Sequence, residues 1–138
     1  MVSLMRPSNR VMRQNLVRSW KLRADGLAWI SSLSPRWSYE DGRPDLGALA
    51  ADTCMSYQNL YRINRDSEWP ISSPIAVALA DGAARETGLP FLVAYMRIFR
   101  SPDEDPQARP WFAEATNLDE LHEAFVQHIR ALEPSVAA

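Results

Sequence analysis

Near the C-terminus, apolar residues recur at the spacing of an amphipathic helix. The apolar positions of this segment are Leu118, Leu121, Phe125, Ile129 and Leu132. They lie three or four residues apart, so they share one face of a helix. Asn117 precedes them and Glu120 follows three residues later, which is typical of a capped N-terminus. The pattern predicts a helix that packs its apolar face on a sheet.

Upstream of that helix, the pattern predicts another helix and then two strands. Ser73 is a good helix cap, Pro74 suits the first helical position, and Gly88 suits the position just past the end. Two apolar runs of strand length follow, from Phe91 to Phe99 and from Trp111 to Thr116, and the polar segment SPDEDPQARP separates them. These two runs predict an antiparallel hairpin.

The N-terminal pattern predicts a helix followed by two short strands. Ser8 can cap a helix from Asn9 to Leu22, along which one apolar stripe runs. The stripe consists of Met12, Leu16 and Trp20. Short runs from Leu27 to Ile30 and from Arg36 to Tyr39 then predict strands, because turn residues bound each of them.

Between these segments, residues 46–63, LGALAADTCMSYQNLYRI, have the pattern of two short helices that cross over a tight turn. Such helices need a small residue at their closest approach and apolar residues on the inner face of the second helix. Leu49 and Ala50 would close the first helix against the second, and Leu60 and Ile63 would line the inner face of the second helix. Residues 45–65 are therefore a candidate pair of packed helices.

The residues of the turn extend this pattern into a resemblance. Cys54 falls in the turn, Met55 follows it, and Ser56 falls where the second helix begins and can cap it. Over residues 46–63 the chain resembles the helix-turn-helix of phage-repressor-type DNA-binding regulators. It departs from that pattern at Cys54, because glycine usually holds this position and adopts a left-handed backbone at less cost.

The resemblance implies that the chain binds double-stranded DNA through the second helix. The exposed face of that helix would carry Tyr57, Gln58, Asn59, Tyr61 and Arg62. Amide side chains can bond adenine edges, arginine can bond guanine, and tyrosine or serine can reach phosphates. The residues expected to contact DNA are Ser56, Tyr57, Gln58, Asn59, Arg62 and Arg65, with Arg10 and Arg13 from the N-terminal helix. The alternative is that this polar helix face is simply solvated.

The uneven distribution of charge bears on the same question. The formal net charge is −2, yet residues 1–23 carry six of the fifteen basic residues and none of the seventeen acidic residues. The predicted N-terminal helix could therefore contact DNA phosphates, or attach to an acidic partner or a membrane surface. It could equally be a core helix whose basic face is solvated.

A second resemblance gives residues 47–54 a different structure. The order of predicted elements, and GLPFLVAYM after a capped helix, resemble the restriction-endonuclease-like fold, in which Gly47 to Cys54 would be a strand. The resemblance implies that Asp25 and the triplet Asp52-Thr53-Cys54 supply acids for a magnesium ion. The lysine of that triplet is absent, and Lys21 precedes every candidate strand. This alternative therefore implies an inactive relative that binds nucleic acid or protein.

Composition limits the class of protein. A chain of 138 residues with 46% hydrophobic content predicts one globular domain with its own core. The single cysteine, Cys54, excludes an internal disulfide and is expected to be a small buried residue. No apolar run approaches the length of a membrane span, and the N-terminus lacks the apolar segment of a secretory signal. The sequence therefore favours a cytoplasmic protein with no membrane partner.

Candidate catalytic and metal-binding patterns are few. His122 and His128 are six residues apart on different faces of a predicted helix, so they do not bind one metal ion together. The acidic cluster Asp103 to Asp105 is typical of a solvated loop. The chain contains no nucleophile elbow, phosphate-binding glycine loop or zinc-binding HExxH pair. The sequence predicts no cofactor and favours a function other than catalysis.

Taken together, the sequence predicts a single α+β domain over residues 1–138. Its parts are a basic N-terminal helix (1–23), short strands, the helical middle segment (45–65) and a C-terminal α-β-β-α unit (73–132). The expected function is sequence-specific binding of double-stranded DNA by a homodimer that regulates transcription or a mobile element. The alternative is a protein-interaction or inhibitor module on a degenerate nuclease-like fold.

Overall fold

The computed structural model describes residues 20–66 and 71–132, and this part of the chain is mostly helical with a small antiparallel sheet. Its elements, in chain order, are β1 (Lys21–Leu22), α1 (Gly26–Ser32), α2 (Leu46–Asp52), α3 (Tyr57–Arg65), α4 (Ser73–Thr87), α5 (Phe91–Ile98), β2 (Phe99–Arg100) and α6 (Leu118–Leu132). A short 3-10 turn, Pro35–Trp37, lies between α1 and α2. The described part is compatible with the predicted α+β class, but its helical share is larger than the sequence predicted.

The predicted N-terminal helix lies outside the described residues except at its end, and there the prediction is wrong. Lys21 and Leu22 form β1, which pairs with Arg100 and Phe99 of β2. The backbone N–H of Arg23 then donates to the carbonyl oxygen of Ile98 at 2.9 Å. Leu22 is buried in the main apolar cluster, so the end of this segment reaches the core as a strand rather than as a helix.

The two short strands predicted before residue 45 are also wrong. Leu27 to Ile30 lies within α1, where Leu27 and Ile30 are three residues apart and both buried on one helical face. Arg36 to Tyr39 begins inside the 3-10 turn, because the Ser34 hydroxyl accepts from the backbone N–H of Arg36 and Pro35 holds the first position. Apolar runs this short do not distinguish a strand from a buried helical turn.

The predicted C-terminal hairpin is replaced by a helix and a turn-rich segment. Phe91 to Phe99 is helical as far as Ile98, and only Phe99 and Arg100 are extended. The buried residues of α5 recur at helical spacing: Val93, Ala94, Arg97 and Ile98. Trp111 to Thr116 consists of turns rather than a strand. The strand that pairs with β2 is β1, which lies far away in the sequence.

The two helices with marked ends are confirmed, but the prediction that the C-terminal helix packs on a sheet is wrong, because α6 packs on α5 through Leu121. Gly88 ends α4 with a left-handed backbone (φ 78°), and its N–H donates to the carbonyl oxygen of Ala84. Ser72, one residue before the predicted cap, occupies the cap position of α4. At the start of α6, the Asn117 side chain accepts from the backbone N–H of Glu120 at 2.8 Å. The Glu120 carboxylate in turn accepts from the backbone N–H of Thr116 at 3.0 Å, which lowers the pKa of Glu120.

The main core lies where α2, α3, α4 and α5 meet. Its fully buried side chains include Ile30, Leu49, Leu60, Ile63, Leu79, Ile98 and Phe99. A smaller cluster of Leu89, Val93 and Leu121 joins α5 to α6. The helices α2 and α3 therefore rest on the largest apolar cluster of the described residues, which fixes their positions.

Gly82 of α4 touches the turn between α2 and α3, and we predict that Gly82→Ala destabilises the protein. An added Cβ would lie 2.7 Å from the Thr53 Cγ2 atom. Thr53 cannot simply rotate away, because its hydroxyl donates to the carbonyl oxygen of Leu49 at 2.7 Å. We expect the free energy of unfolding to fall by about 1–2 kcal/mol, since overpacking exceeds the gain in helix propensity. Urea denaturation of both forms measures it.

Gly47→Ala in α2 is the matched control. Its added Cβ would meet nothing closer than an ordinary contact, at 3.6 Å to the Asp45 Oδ1 atom. This variant is expected to raise the free energy of unfolding by up to about 1 kcal/mol. A Gly82→Ala protein as stable as Gly47→Ala would show that α4 does not hold the turn tightly.

Candidate nucleic-acid interface

The candidate interface includes α2, which lies where the sequence predicts the first helix of the pair. The Asp45 side chain caps α2 by accepting from the backbone N–H of Ala48 at 3.1 Å. Leu46, Leu49 and Ala50 are buried, so α2 presents its apolar face to the core. The strand that the nuclease-like alternative requires at residues 47–54 is therefore wrong.

The turn after α2 has the hydrogen bonds of a Schellman motif. The Met55 N–H donates to the Ala50 carbonyl oxygen at 3.0 Å, and the Cys54 N–H donates to the Ala51 carbonyl oxygen at 3.4 Å. Cys54 has a left-handed backbone (φ 57°), which is the conformation expected for the position that glycine usually holds. The expectation that Cys54 is buried is wrong: it is exposed, and Thr53 before it is buried instead.

The second helix, α3, is anchored by the two residues that the sequence assigned to its inner face. Leu60 and Ile63 are buried almost completely, and α3 packs against α2. Ser56 holds the cap position with an extended backbone, but its hydroxyl makes no capping hydrogen bond. The start of α3 is thus confirmed, whereas the bond expected from Ser56 is not formed.

One face of α3 projects away from the core. Gln58 and Arg65 are seven residues apart, which is two helical turns, and Tyr61 and Arg62 lie between them on the same side. All four are exposed. The segment Tyr57–Arg65 contains no acidic residue. We call these four residues the α3 face.

The remaining candidate residues of this segment lie beside the α3 face. Tyr57 is exposed, and its ring stacks on Tyr61 with 6.2 Å between the centroids. Ser56 is exposed at the N-terminal end of the helix. Asn59 is half-buried, because it lies next to Ile63 at the edge of the inner face. Arg10 and Arg13 lie outside the described residues.

Asp52, which the nuclease-like alternative assigned to a metal site, has partners of a different kind. Its Oδ2 atom accepts from the indole N–H of Trp37 at 2.7 Å and from the Arg36 side chain at 3.2 Å. Arg36 also reaches Glu86 of α4 at 3.4 Å. These contacts tie the end of α2 to its neighbours, which explains the position of Asp52 without a metal ion.

The pKa of Asp52 leads to a prediction about how the stability of the protein depends on pH. The Trp37 hydrogen bond, and after it Arg36, hold this pKa below its ordinary value of 3.8. Because the pKa of Asp52 is lower in the folded protein than in the unfolded chain, its carboxylate contributes its full stabilisation above the ordinary pKa. This contribution is lost as the pH falls through the pKa of the folded protein. We therefore expect Asp52→Asn to be less stable than wild type at pH 7 and to lose less stability upon acidification. Urea midpoints near pH 7 and pH 3 measure this, and the exposed Asp103→Asn is the control.

A second cluster, which the sequence did not predict, surrounds Phe112. Arg97 lies over the Phe112 ring, 3.9 Å from its centroid, and donates to both oxygens of Asp25 at 3.1 and 3.0 Å. Arg23 also faces this ring, bonds the Met96 carbonyl oxygen and pairs with Glu104. Burial lowers the pKa of Arg97, while the Asp25 hydrogen bond opposes that shift. The Asp25 carboxylate therefore serves an ion pair here.

Within the described ranges, no group of histidine, cysteine, aspartate and glutamate residues could hold a metal ion. His128 stacks on the Trp111 ring at 5.8 Å between centroids, whereas His122 is exposed. Along the same residues, no helix combines the length and apolarity that crossing a membrane requires.

Compared with known proteins, the chain matches no family model, no curated protein and no solved structure at a significant level. The α3 face carries an amide, a tyrosine and two arginines, all of which can donate hydrogen bonds.

Proposed function

We propose that the chain binds double-stranded DNA and reads its sequence with the α3 face, as a regulator of transcription or of a mobile element. The observation that carries this proposal is an acid-free helix with Gln58, Arg62 and Arg65 exposed on one side. Its opposite side is fixed to the core by Leu60 and Ile63. A rigidly held helix with such a face suits the width of the DNA major groove.

Each residue type on the α3 face has a counterpart on the duplex. The Gln58 amide can bond the N6 and N7 positions of adenine, and an arginine can bond O6 and N7 of guanine. Tyr57 and Ser56, near the start of α3, can donate to phosphates, which positions a helix without selecting a sequence. We therefore assign base contacts to Gln58 and Arg62, and phosphate contacts to Ser56, Tyr57 and Arg65.

Three of the residues predicted to contact DNA have a different expected role. Asn59 is half-buried, so we expect it to orient α3 rather than to reach a base edge. Arg10 and Arg13 belong to an N-terminal segment with six basic and no acidic residues in positions 1–23. Their contribution of phosphate contacts stays a prediction from that charge.

A titration of a fluorescent duplex tests the proposal. We expect binding of a mixed-sequence duplex of about 30 base pairs at about 50 mM salt, and a large loss of affinity at about 200 mM, because each phosphate contact releases counterions. Absence of binding at the lower salt concentration would contradict the proposal.

Substitution of Gln58 separates base reading from general attraction. After selection of a preferred duplex from a random pool, Gln58→Ala is expected to lose about 1–3 kcal/mol of discrimination against a changed adenine position. Its affinity for unrelated duplexes is expected to be nearly unchanged, because glutamine carries no charge. Gln107→Ala, in an exposed loop, is the control. Equal effects of the two substitutions would argue against base reading by α3.

A further inference from the structure

The helix α6 has an apolar stripe that the described fold covers only in part. Among the residues of α6, Leu121 alone is buried, while Phe125, Val126 and Ile129 are half-buried and Leu132 is 61% exposed. The first half of α6 rests on α5, through the cluster of Leu89, Val93 and Leu121. The second half of the stripe therefore retains apolar surface that faces outward.

An apolar groove of about 520 Å³ lies between this part of α6 and the first turn of α5. Phe91 and Leu92 form one wall, with exposures of 38% and 58%. Phe125, Val126 and Ile129 line the other side. His122 and Arg130 lie at the groove as well, so an apolar surface is bordered by polar side chains. Single exposed apolar residues are common, whereas a contiguous apolar patch with a polar rim is typical of an interaction site.

We infer that this groove is occupied by the same surface of a second copy of the chain. A twofold interface brings one patch against itself, so the patch must provide both a projection and a recess. Leu92 is the projection, and the groove beside Phe125 and Ile129 is the recess. An interface of this kind goes beyond DNA binding, since it forms without DNA.

The charges along α6 favour a second copy over other occupants. Asp119, Glu123, Val126 and Arg130 follow one another at intervals of four, three and four residues, so they share one side of the helix. The acids lie in its first half and the arginine in its second half. When two α6 helices approach in antiparallel orientation, Glu123 of one copy faces Arg130 of the other, and Val126 lies beside the twofold axis. The same acids would repel an anionic membrane surface.

Sedimentation of the full chain without DNA tests the inference. Over about 1 to 200 μM protein we expect a monomer–dimer equilibrium. Leu92→Glu is expected to raise the dissociation constant by more than about tenfold, because it places a charge against the apolar recess. Val77→Glu is the matched control, since Val77 is also exposed (46%) and lies on α4 outside the groove. Its dissociation constant is expected to equal that of wild type.

Charge reversal on α6 gives a second test, and it changes exposed residues, so it leaves the protein core intact. Arg130→Glu is expected to weaken the dimer roughly threefold to tenfold, because two symmetric ion pairs are lost. The double variant Glu123→Arg with Arg130→Glu restores the pairs in reversed order and is expected to return to the wild-type dissociation constant. A chain that stays monomeric throughout, or a Leu92→Glu variant that dimerises as wild type does, would overturn the inference. A double variant as weak as Arg130→Glu would overturn the antiparallel arrangement.

Discussion

Arg65→Glu is expected to weaken binding to duplex DNA by about tenfold or more at low salt. Arg65 is exposed at the end of the α3 face, where it could reach a phosphate beside the major groove of the DNA. In the proposed complex, this substitution would remove one phosphate contact and place a negative charge near the DNA backbone. A plot of log affinity against log salt concentration has a negative slope, and the magnitude of this slope should therefore fall by about one. Anisotropy titrations at several salt concentrations measure both quantities.

Arg109→Glu separates this local effect from the change in net charge. Arg109 is an exposed arginine of the loop between β2 and α6, and its reversal changes the net charge by the same amount. We expect this variant to keep most of the wild-type affinity, because screening confines surface charge effects to about 10 Å at 0.1 M salt. If both variants lose affinity equally, the attraction is a property of the whole surface rather than of α3.

Asp25→Ala is expected to lower the free energy of unfolding by roughly 2–3 kcal/mol. Arg97, which is 9% exposed, donates to both oxygens of Asp25, so the substitution leaves its charge without this partner. Loss of one member of a fully buried pair costs about 3–5 kcal/mol. We place the expected value below that range because the Asp25 side chain is 55% exposed and water can replace part of the interaction.

Two further variants identify the cause of this loss. Asp81→Ala removes the carboxylate from an exposed pair, in which Arg85 lies 3.0 Å from Asp81, and should change stability by less than about 1 kcal/mol. Arg97→Met combined with Asp25→Ala removes both charges of this ion pair and should recover part of the lost stability. An Asp25→Ala protein that is as stable as Asp81→Ala would show that the Arg97 pair contributes little.

The helix ends that could be predicted are those marked by local chemistry. Gly88 with its left-handed backbone and Asn117 with its capping bond are properties of a few neighbouring residues, so the sequence is sufficient for them. The short runs at Leu27 to Ile30 and Phe91 to Phe99 are helical although the sequence predicts strands, because the composition of such runs suits either structure. Distant contacts decide them, such as the pairing of β1 with β2 across most of the chain.

In the candidate interface too, features set by neighbouring residues could be predicted, and features set by distant contacts could not. Leu60 and Ile63 could be assigned to the inner face of α3 from their spacing, and this placed Gln58, Arg62 and Arg65 outside. The half-buried position of Asn59 and the exposure of Cys54 depend on how α3 and its turn sit against the core. The burial of Arg97 could not be predicted, because its partners Asp25 and Phe112 come from distant parts of the chain.

Contact between α3 and duplex DNA is tested most directly by the change in backbone amide chemical shifts when duplex DNA is added to isotopically labelled protein. If α3 contacts the duplex, the largest changes should fall between Ser56 and Arg65, and residues of α6 should change little. The Arg65→Glu protein should show the same pattern with smaller changes at equal DNA concentration. Unchanged amides between Ser56 and Arg65, whether or not other residues respond to DNA, would contradict the proposed function.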